Sequence, residues 1–324
     1  MQSERKRLIY PSVIGLVIVS FLVYFLISNF SLKEAKAGGD VQNKVDTTAT
    51  VAPFIPSELE FAGEPVPLDI YWVYEGLDRE LIISTYQHSV TMLSLKRSTR
   101  FFPTIEKILA EEKIPNDFKY LCVAESNLQN VVSPAKATGY WQFMESTGRK
   151  YGLEINDEID ERYDLEKSTR AACRFLKDLK QKFGSWSLCA AAYNMGENGL
   201  ERNLTNQTCN NYWDLLLNAE TARYVYRILS YKLIFEKPYQ YNFHLKNDDF
   251  YYPVPCKEIT ISEPIQDLYQ FATEHGITYR ELKEHNPWLR SSTLLKVKTK
   301  SYQVKIPKKS KSKRGELLKI NKVE

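Results

Sequence analysis

From about residue 65 to 237, apolar positions recur at spacings of three and four, as amphipathic helices around one core require. Residues 78–95 (LDRELIISTYQHSVTMLS) carry this rhythm, and residues 101–111 repeat it through Phe101, Phe102, Ile105, Ile108 and Leu109. Pro115-Asn116-Asp117 predicts a helix start, with Asn116 or Asp117 as its cap. A further helix is predicted over 168–182, opened by Ser168 and Thr169 as caps and stopped by Gly184. Residues 186–195 (WSLCAAAYNM) read as a buried helix, and Glu220–Phe235 as the last strong one. Strand signals are nearly absent, which predicts an all-α domain. Past Pro238 the texture changes. Residues 257–261 (KEITI) alternate like a strand, Ile265–Gly276 and Tyr279–His285 read as helices, and Tyr302–Ile306 (YQVKI) closes as a second strand. The expected fold class is mainly α, with a small α+β module of βααβ order.

The N-terminal region predicts an address. Leu8 to Ser28 is free of charge over 21 residues and follows Arg5, Lys6 and Arg7. A helix of about 20 such residues crosses a bilayer, and the basic flank keeps the N-terminus in the cytoplasm. Ala35-Lys36-Ala37 offers the competing reading, a cleaved signal segment. The apolar run exceeds a usual signal core, which favours an inner-membrane anchor with the body in the periplasm. The domain plan is then a stub and anchor or signal segment (1–30), a linker (31–64), a helical domain (65–240), a small module (241–307) and a basic tail (308–324).

Composition narrows the chemistry. The 324 residues carry a formal charge of +4, but residues 296–324 hold eleven Lys/Arg against two Glu, so the body is mildly acidic and is no nucleic-acid binder. The basic tail reads as a solvated terminus. Aromatics make up 13%, enough for sugar-stacking surfaces as well as core. The five cysteines form no CxxC pair, the four histidines no HExxH, and neither a phosphate loop nor a GxSxG elbow is present. Zinc peptidases, P-loop NTPases and α/β-hydrolases lose their footing, and no metal or cofactor is expected. An exported body permits disulfides, with Cys189 and Cys209 the first pair to consider and buried free thiols the equal alternative.

The helix opening near Asp117 aligns Phe118, Leu121, Cys122 and Glu125 on one face. An acid at the end of an apolar stripe holds its proton more tightly, which suits proton donation to a leaving oxygen near neutral pH. From spacing alone, a glutamate fraying into solvent is the other reading. Glu125-Ser126 is followed by a turn-rich stretch ending in Gly139-Tyr140-Trp141-Gln142-Phe143-Met144, then by Ala192-Tyr193-Asn194-Met195-Gly196, then by a helix opening Glu220-Thr221-Ala222-Arg223-Tyr224. This order resembles the lysozyme-like lytic transglycosylases, as do the intervening IPNDFKYLCVAES and DERYDLEKSTRAACRFLKDL segments.

That resemblance implies Glu125 as general acid/base, Ser126 bonding substrate or steadying Glu125, and Gln142 holding an N-acetyl group. It implies Tyr193 and Asn194 lining the sugar site and Tyr224 orienting the acid. Met144 and Trp141 read as pocket walls or as core. Tyr140 departs from the more usual Leu, and Cys122 reads as a small buried hydrophobe. Glu145 and Glu197 stand nearby but read as solvent-facing, so no second catalytic carboxylate is evident. The expected reaction cleaves the β-1,4 bond of peptidoglycan between N-acetylmuramic acid and N-acetylglucosamine, with the substrate's acetamido group assisting and a 1,6-anhydromuramyl end forming. Hydrolysis of the same bond, as in goose-type lysozyme, and a non-catalytic glycan-binding scaffold are the alternatives. The C-terminal stretch resembles a diverged LysM repeat, with Ser262-Glu263-Pro264 where that pattern opens on Gly-Asp-Thr, and implies glycan binding or a structural cap.

Overall fold

The computed structural model describes residues 50–297 and 300–320. The expected anchor at Leu8–Ser28 and the Ala35-Lys36-Ala37 site lie outside the described residues. Among those described, no helix is long and apolar enough to cross a membrane.

The body is helical, as the spacing predicts. Its helices are α1 (Tyr71–Tyr86), α2 (His88–Glu111), α3 (Phe118–Ser126), α4 (Glu145–Lys150), α5 (Leu165–Phe183), α6 (Trp186–Met195), α7 (Glu197–Asn206) and α8 (Ala219–Glu236). The long helix α8 is the hub, packing against α1, α3 and α6, while α2 packs against α5. Fully buried Leu77, Leu81, Ile105, Leu109, Phe118, Leu121, Ala191 and Leu229 belong to the shared core.

Local sequence sets these boundaries, in places differently from the periodicity. The 78–95 stretch is two helices rather than one. Gln87 departs from helical geometry, at φ −77° and ψ 55°, while its N–H still bonds Ile83. The Thr91 hydroxyl bridges the break by donating to the Ser84 carbonyl, 2.5 Å away. Helix α5 starts three residues before the expected caps. Asp164 caps it by accepting from the Lys167 N–H, whereas Ser168 and Thr169 lie within its first turns and bond back to the carbonyls of Asp164 and Leu165. Asp117 occupies the cap position of α3 without bonding its N–H groups. Its carboxylate is drawn away by Lys232 and by the Ala62 N–H, each at 2.7 Å. The end of the expected linker gains structure as a short antiparallel pair, β1 (Glu60–Phe61) and β2 (Glu64–Pro65). It is anchored by Phe61 against Phe118 and by Glu64, which accepts from the N–H groups of Trp186 and Ser187 at the start of α6.

The second core belongs to a βααβ module: β3 (Cys256–Ile261), α9 (Leu268–Glu274), α10 (Tyr279–His285) and β4 (Tyr302–Pro307), with β3 and β4 paired antiparallel over six positions. Asp267 caps α9, and a Thr278–Glu281 capping box opens α10. Asn286 is buried and ties the module together, donating to the Lys305 carbonyl and accepting from the Lys305 N–H, each at 2.7 Å. The tail carries a short helix, α11 (Arg314–Ile320). All five cysteines are free. Cys189 is sealed in the helical core, so the Cys189–Cys209 pairing does not form.

Candidate active site

Helix α3 carries the apolar stripe inward. Phe118, Leu121 and Cys122 are fully buried, and Glu125 follows, half-buried, one residue before the helix ends at Ser126. That end is fixed. Asn127 takes a left-handed conformation, and its carbonyl receives a bond from Arg97. The Ser126 hydroxyl donates to the Tyr140 carbonyl at 2.7 Å and lies 3.2 Å from the Cys122 carbonyl. Ser126 is thus turned inward. It ties the chain around Glu125 to the loop at Tyr140.

Packing of α8 against α3 brings the buried Tyr224 hydroxyl onto Glu125, where it donates to Oε1 across 99 positions of sequence. Burial pushes the Glu125 carboxyl up to about 7, and Glu220 adds to that rise; the Tyr224 hydrogen bond and the positive charge of Arg227 act the other way. Desolvation wins, so this acid keeps its proton at pH values where an exposed glutamate has lost it. Tyr224 itself is held neutral, chiefly by burial and then by the neighbouring carboxyl.

The 139–144 loop forms one wall. Gly139 has φ +85°, and a Cβ there would stand 1.9 Å from the Arg162 carbonyl, so only glycine fits. Gln142 also takes a left-handed backbone, φ +48°, which strains a side-chain-bearing residue by roughly 1–3 kcal/mol. Its amide Nε2 donates to the carbonyls of Gly139 (2.7 Å) and Val131 (3.1 Å), and the amide oxygen has no bond among the described residues. Trp141 is core rather than wall. It is fully buried, and its indole N–H donates to Thr169. Met144 is the exposed one, at 45%. The extra bulk of Tyr140 goes inward, with its ring 5.1 Å from Phe101.

Helix α6 supplies the other wall. The Tyr193 hydroxyl donates to the Trp141 carbonyl at 2.7 Å, linking α6 to the loop. Burial, then the Glu125 carboxyl, raises the Tyr193 phenol far above its ordinary value. Asn194 is aimed by α8. Its Oδ1 accepts from Thr221 at 2.8 Å, and its Nδ2 donates to Glu220 at 3.2 Å. Glu145 and Glu197 pair with Arg149 and Lys150 instead of approaching Glu125.

Several supporting groups escape sequence reading. Glu220 and Thr221 orient Asn194. Glu80, 1% exposed, holds Arg223 at 2.6 Å and Arg227 at 3.6 Å, and so fixes the cation that faces Glu125. No spacing rule signals this support, since Arg223 and Arg227 lie more than 140 positions from Glu80. Among the described residues, no three His, Cys, Asp or Glu side chains gather into a group that could hold a metal ion.

A proton-bearing carboxyl bonded by a tyrosine hydroxyl and flanked by two polar walls, on a helical scaffold with a βααβ appendage, defines a class. Residues 102–216 match the family described as Transglycosylase SLT domain, and residues 257–310 match Soluble lytic transglycosylase C-terminal LysM-like domain. The chain therefore carries an SLT domain followed by a LysM-like domain. Among curated proteins, it is 29% identical over 228 residues to the Membrane-bound lytic murein transglycosylase D of Escherichia coli (strain K12), covering 68% of this chain and 49% of that protein. The same figures hold for the protein of that name in Escherichia coli O6:H1. It is also 29% identical over 122 residues to a Putative tributyltin chloride resistance protein of Alteromonas sp., covering 36% of this chain and 59% of that protein. The chain spans about half the length of the E. coli relatives.

Proposed function

We propose that this protein is a peptidoglycan lytic transglycosylase using Glu125 as its single acid/base. The observation that carries the reading is the half-buried Glu125 carboxyl, held protonated to about 7 and bonded by the buried Tyr224 hydroxyl. In the first step, Glu125 gives its proton to the oxygen joining N-acetylmuramic acid to N-acetylglucosamine, and the C1–O bond breaks. The acetamido oxygen of the same muramyl residue bonds C1, giving an oxazolinium ion and removing the need for a second carboxylate. In the second step, the Glu125 carboxylate takes the proton of the 6-hydroxyl, O6 bonds C1, and the oxazolinium ring opens back to the amide. The acid is regenerated, and the product carries a 1,6-anhydro ring. Glu145 and Glu197, bound to their own cations, are unsuited to the second-carboxylate role.

The walls have assigned tasks within this reading. The Gln142 amide oxygen accepts from an N-acetyl N–H, Asn194 and Tyr193 border the reacting sugars, and the exposed Met144 lies against a glycan ring. Tyr224 keeps the carboxyl aimed in both of its protonation states. The LysM-like module adds glycan contact. The membrane partner is reached through Leu8–Ser28, which places the body in the periplasmic cell envelope, in keeping with "membrane-bound" in the names of the E. coli relatives. Digestion of purified sacculi followed by mass spectrometry tests the reaction. Muramyl ends one water lighter than hydrolysis products are expected, and ends that have gained water would assign hydrolysis instead.

A further inference from the structure

The segment 156–163 has one residue in the core of the βααβ module and hydrogen bonds to the helical domain. Ile159, fully buried, lies in the hydrophobic cluster of the βααβ module and bridges to Leu289. Around it, the Asp160 N–H donates to the Trp288 carbonyl (2.9 Å), and the Arg290 N–H donates to the Glu158 carbonyl (2.7 Å). The Glu158 carboxylate accepts from the Thr293 hydroxyl (2.7 Å) and from the N–H groups of Leu295 (3.1 Å) and Lys296 (3.0 Å). Three residues further on, the same segment grips the loop that carries Gln142. The buried Arg162 guanidinium donates to the carbonyls of Phe143 (3.2 Å) and Lys136 (3.5 Å) while held by Asp160 at 2.7 Å. Asn130 donates to the Tyr163 carbonyl at 3.1 Å, and the Arg162 carbonyl fills the space beside Gly139.

We infer that Arg162 is a positioning residue for Gln142, and that the LysM-like module, through Glu158 and Ile159, braces it. The module then acts on the reaction through the binding loop, whether or not it touches glycan itself. The physical need is plain. Gln142 sits in a strained left-handed conformation, and such a conformation persists only where its surroundings over-determine it. The Arg162 Nη1 spans two carbonyls on either side of Gln142 and supplies that constraint, while the Nε/Nη2 fork is held by the Asp160 carboxylate, whose backbone is bonded to the module.

This inference rests on the proposed substrate contact of Gln142, so the test includes that residue. Initial rates on soluble glycan strands are measured for the full chain, Arg162→Ala, Glu158→Gln, Gln142→Ala and the pair Arg162→Ala with Gln142→Ala. Arg162→Ala is expected to raise KM about tenfold with kcat within about twofold, and Glu158→Gln to raise KM about threefold. In the Gln142→Ala background, Arg162→Ala should add less than about twofold, since its route to the substrate is gone. Unchanged KM in Arg162→Ala and Glu158→Gln, or penalties that multiply in the pair, would overturn the bracing role. Unchanged KM in Gln142→Ala alone would instead overturn the reading of Gln142. If Arg162→Ala fails to fold, Arg162→Lys takes its place: it keeps the charge but loses the fork, and the same KM rise is expected.

Discussion

Replacing Glu125 by glutamine should stabilise the fold, by an amount that grows from nothing near pH 4.5 to its full value above about pH 7. In the folded chain, burial holds the carboxyl's proton up to about 7, against 4.5 for an ordinary glutamate. Below about 4.5 the group is neutral in both the folded and unfolded chain and contributes no difference. Between those values the unfolded chain gives up the proton while the folded chain keeps it, so stability declines as pH rises, until the folded carboxyl also ionises near 7. The full loss is roughly 3 kcal/mol. Glutamine carries no charge at either end of this range, and its carbonyl oxygen can still accept from Tyr224. Glu125→Gln should therefore match the parent chain at pH 4.5 and exceed it at pH 8.5 by roughly 3 kcal/mol, or about 6–12 °C in Tm for a chain of this size. Thermal unfolding followed by circular dichroism at both pH values reads the difference directly. An advantage equal at the two values, or none at pH 8.5, would refute the claim that burial governs this carboxyl.

Tyr224→Phe removes the hydrogen bond that lowers the Glu125 proton affinity, so the alkaline limb of the kcat profile should move to higher pH while kcat falls about tenfold. A pH–rate series checks both, and an unmoved limb would contradict the contact. Gly139→Ala places a methyl group 1.9 Å from the Arg162 carbonyl and should destabilise the domain by roughly 3 kcal/mol or more, seen as a lowered urea midpoint. Asn194→Ala leaves the Thr221 hydroxyl without its 2.8 Å partner and should lower kcat/KM about tenfold on glycan strands while moving Tm by only a few degrees.

How much of this was legible beforehand depends on the range over which each interaction acts. The i, i+3, i+4 run of Phe118, Leu121 and Cys122 is local, and it named the buried face of α3 and the placement of Glu125 at its end. The βααβ order was legible for the same reason: alternating strands and capped helices are written within about 50 residues. Caps were less secure, because Asp117 had a stronger partner in Lys232, and Asp164 captured the start of α5 ahead of Ser168 and Thr169. No spacing rule could link Tyr224 to Glu125. That pairing came from the order of motifs, and the structure supplies its physical cause in the packing of α3 on α8. The Gln142 backbone, the inward Ser126 hydroxyl and the Glu80–Arg227 support are products of tertiary contacts, and the sequence holds no periodic trace of them. Trp141 and Met144 read alike in sequence, yet one is sealed and the other exposed, because the tight loop turns residues three positions apart to different sides.

The central claim is that one sheltered, protonated carboxyl performs the cleavage, and the turnover of purified sacculi by the parent chain and by Glu125→Gln across pH 5 to 9 tests it most directly. The account predicts parent activity that falls with a midpoint near 7, and a variant that still binds sacculi but releases no muramyl product at any pH. Release by the variant at the parent's rate would contradict it.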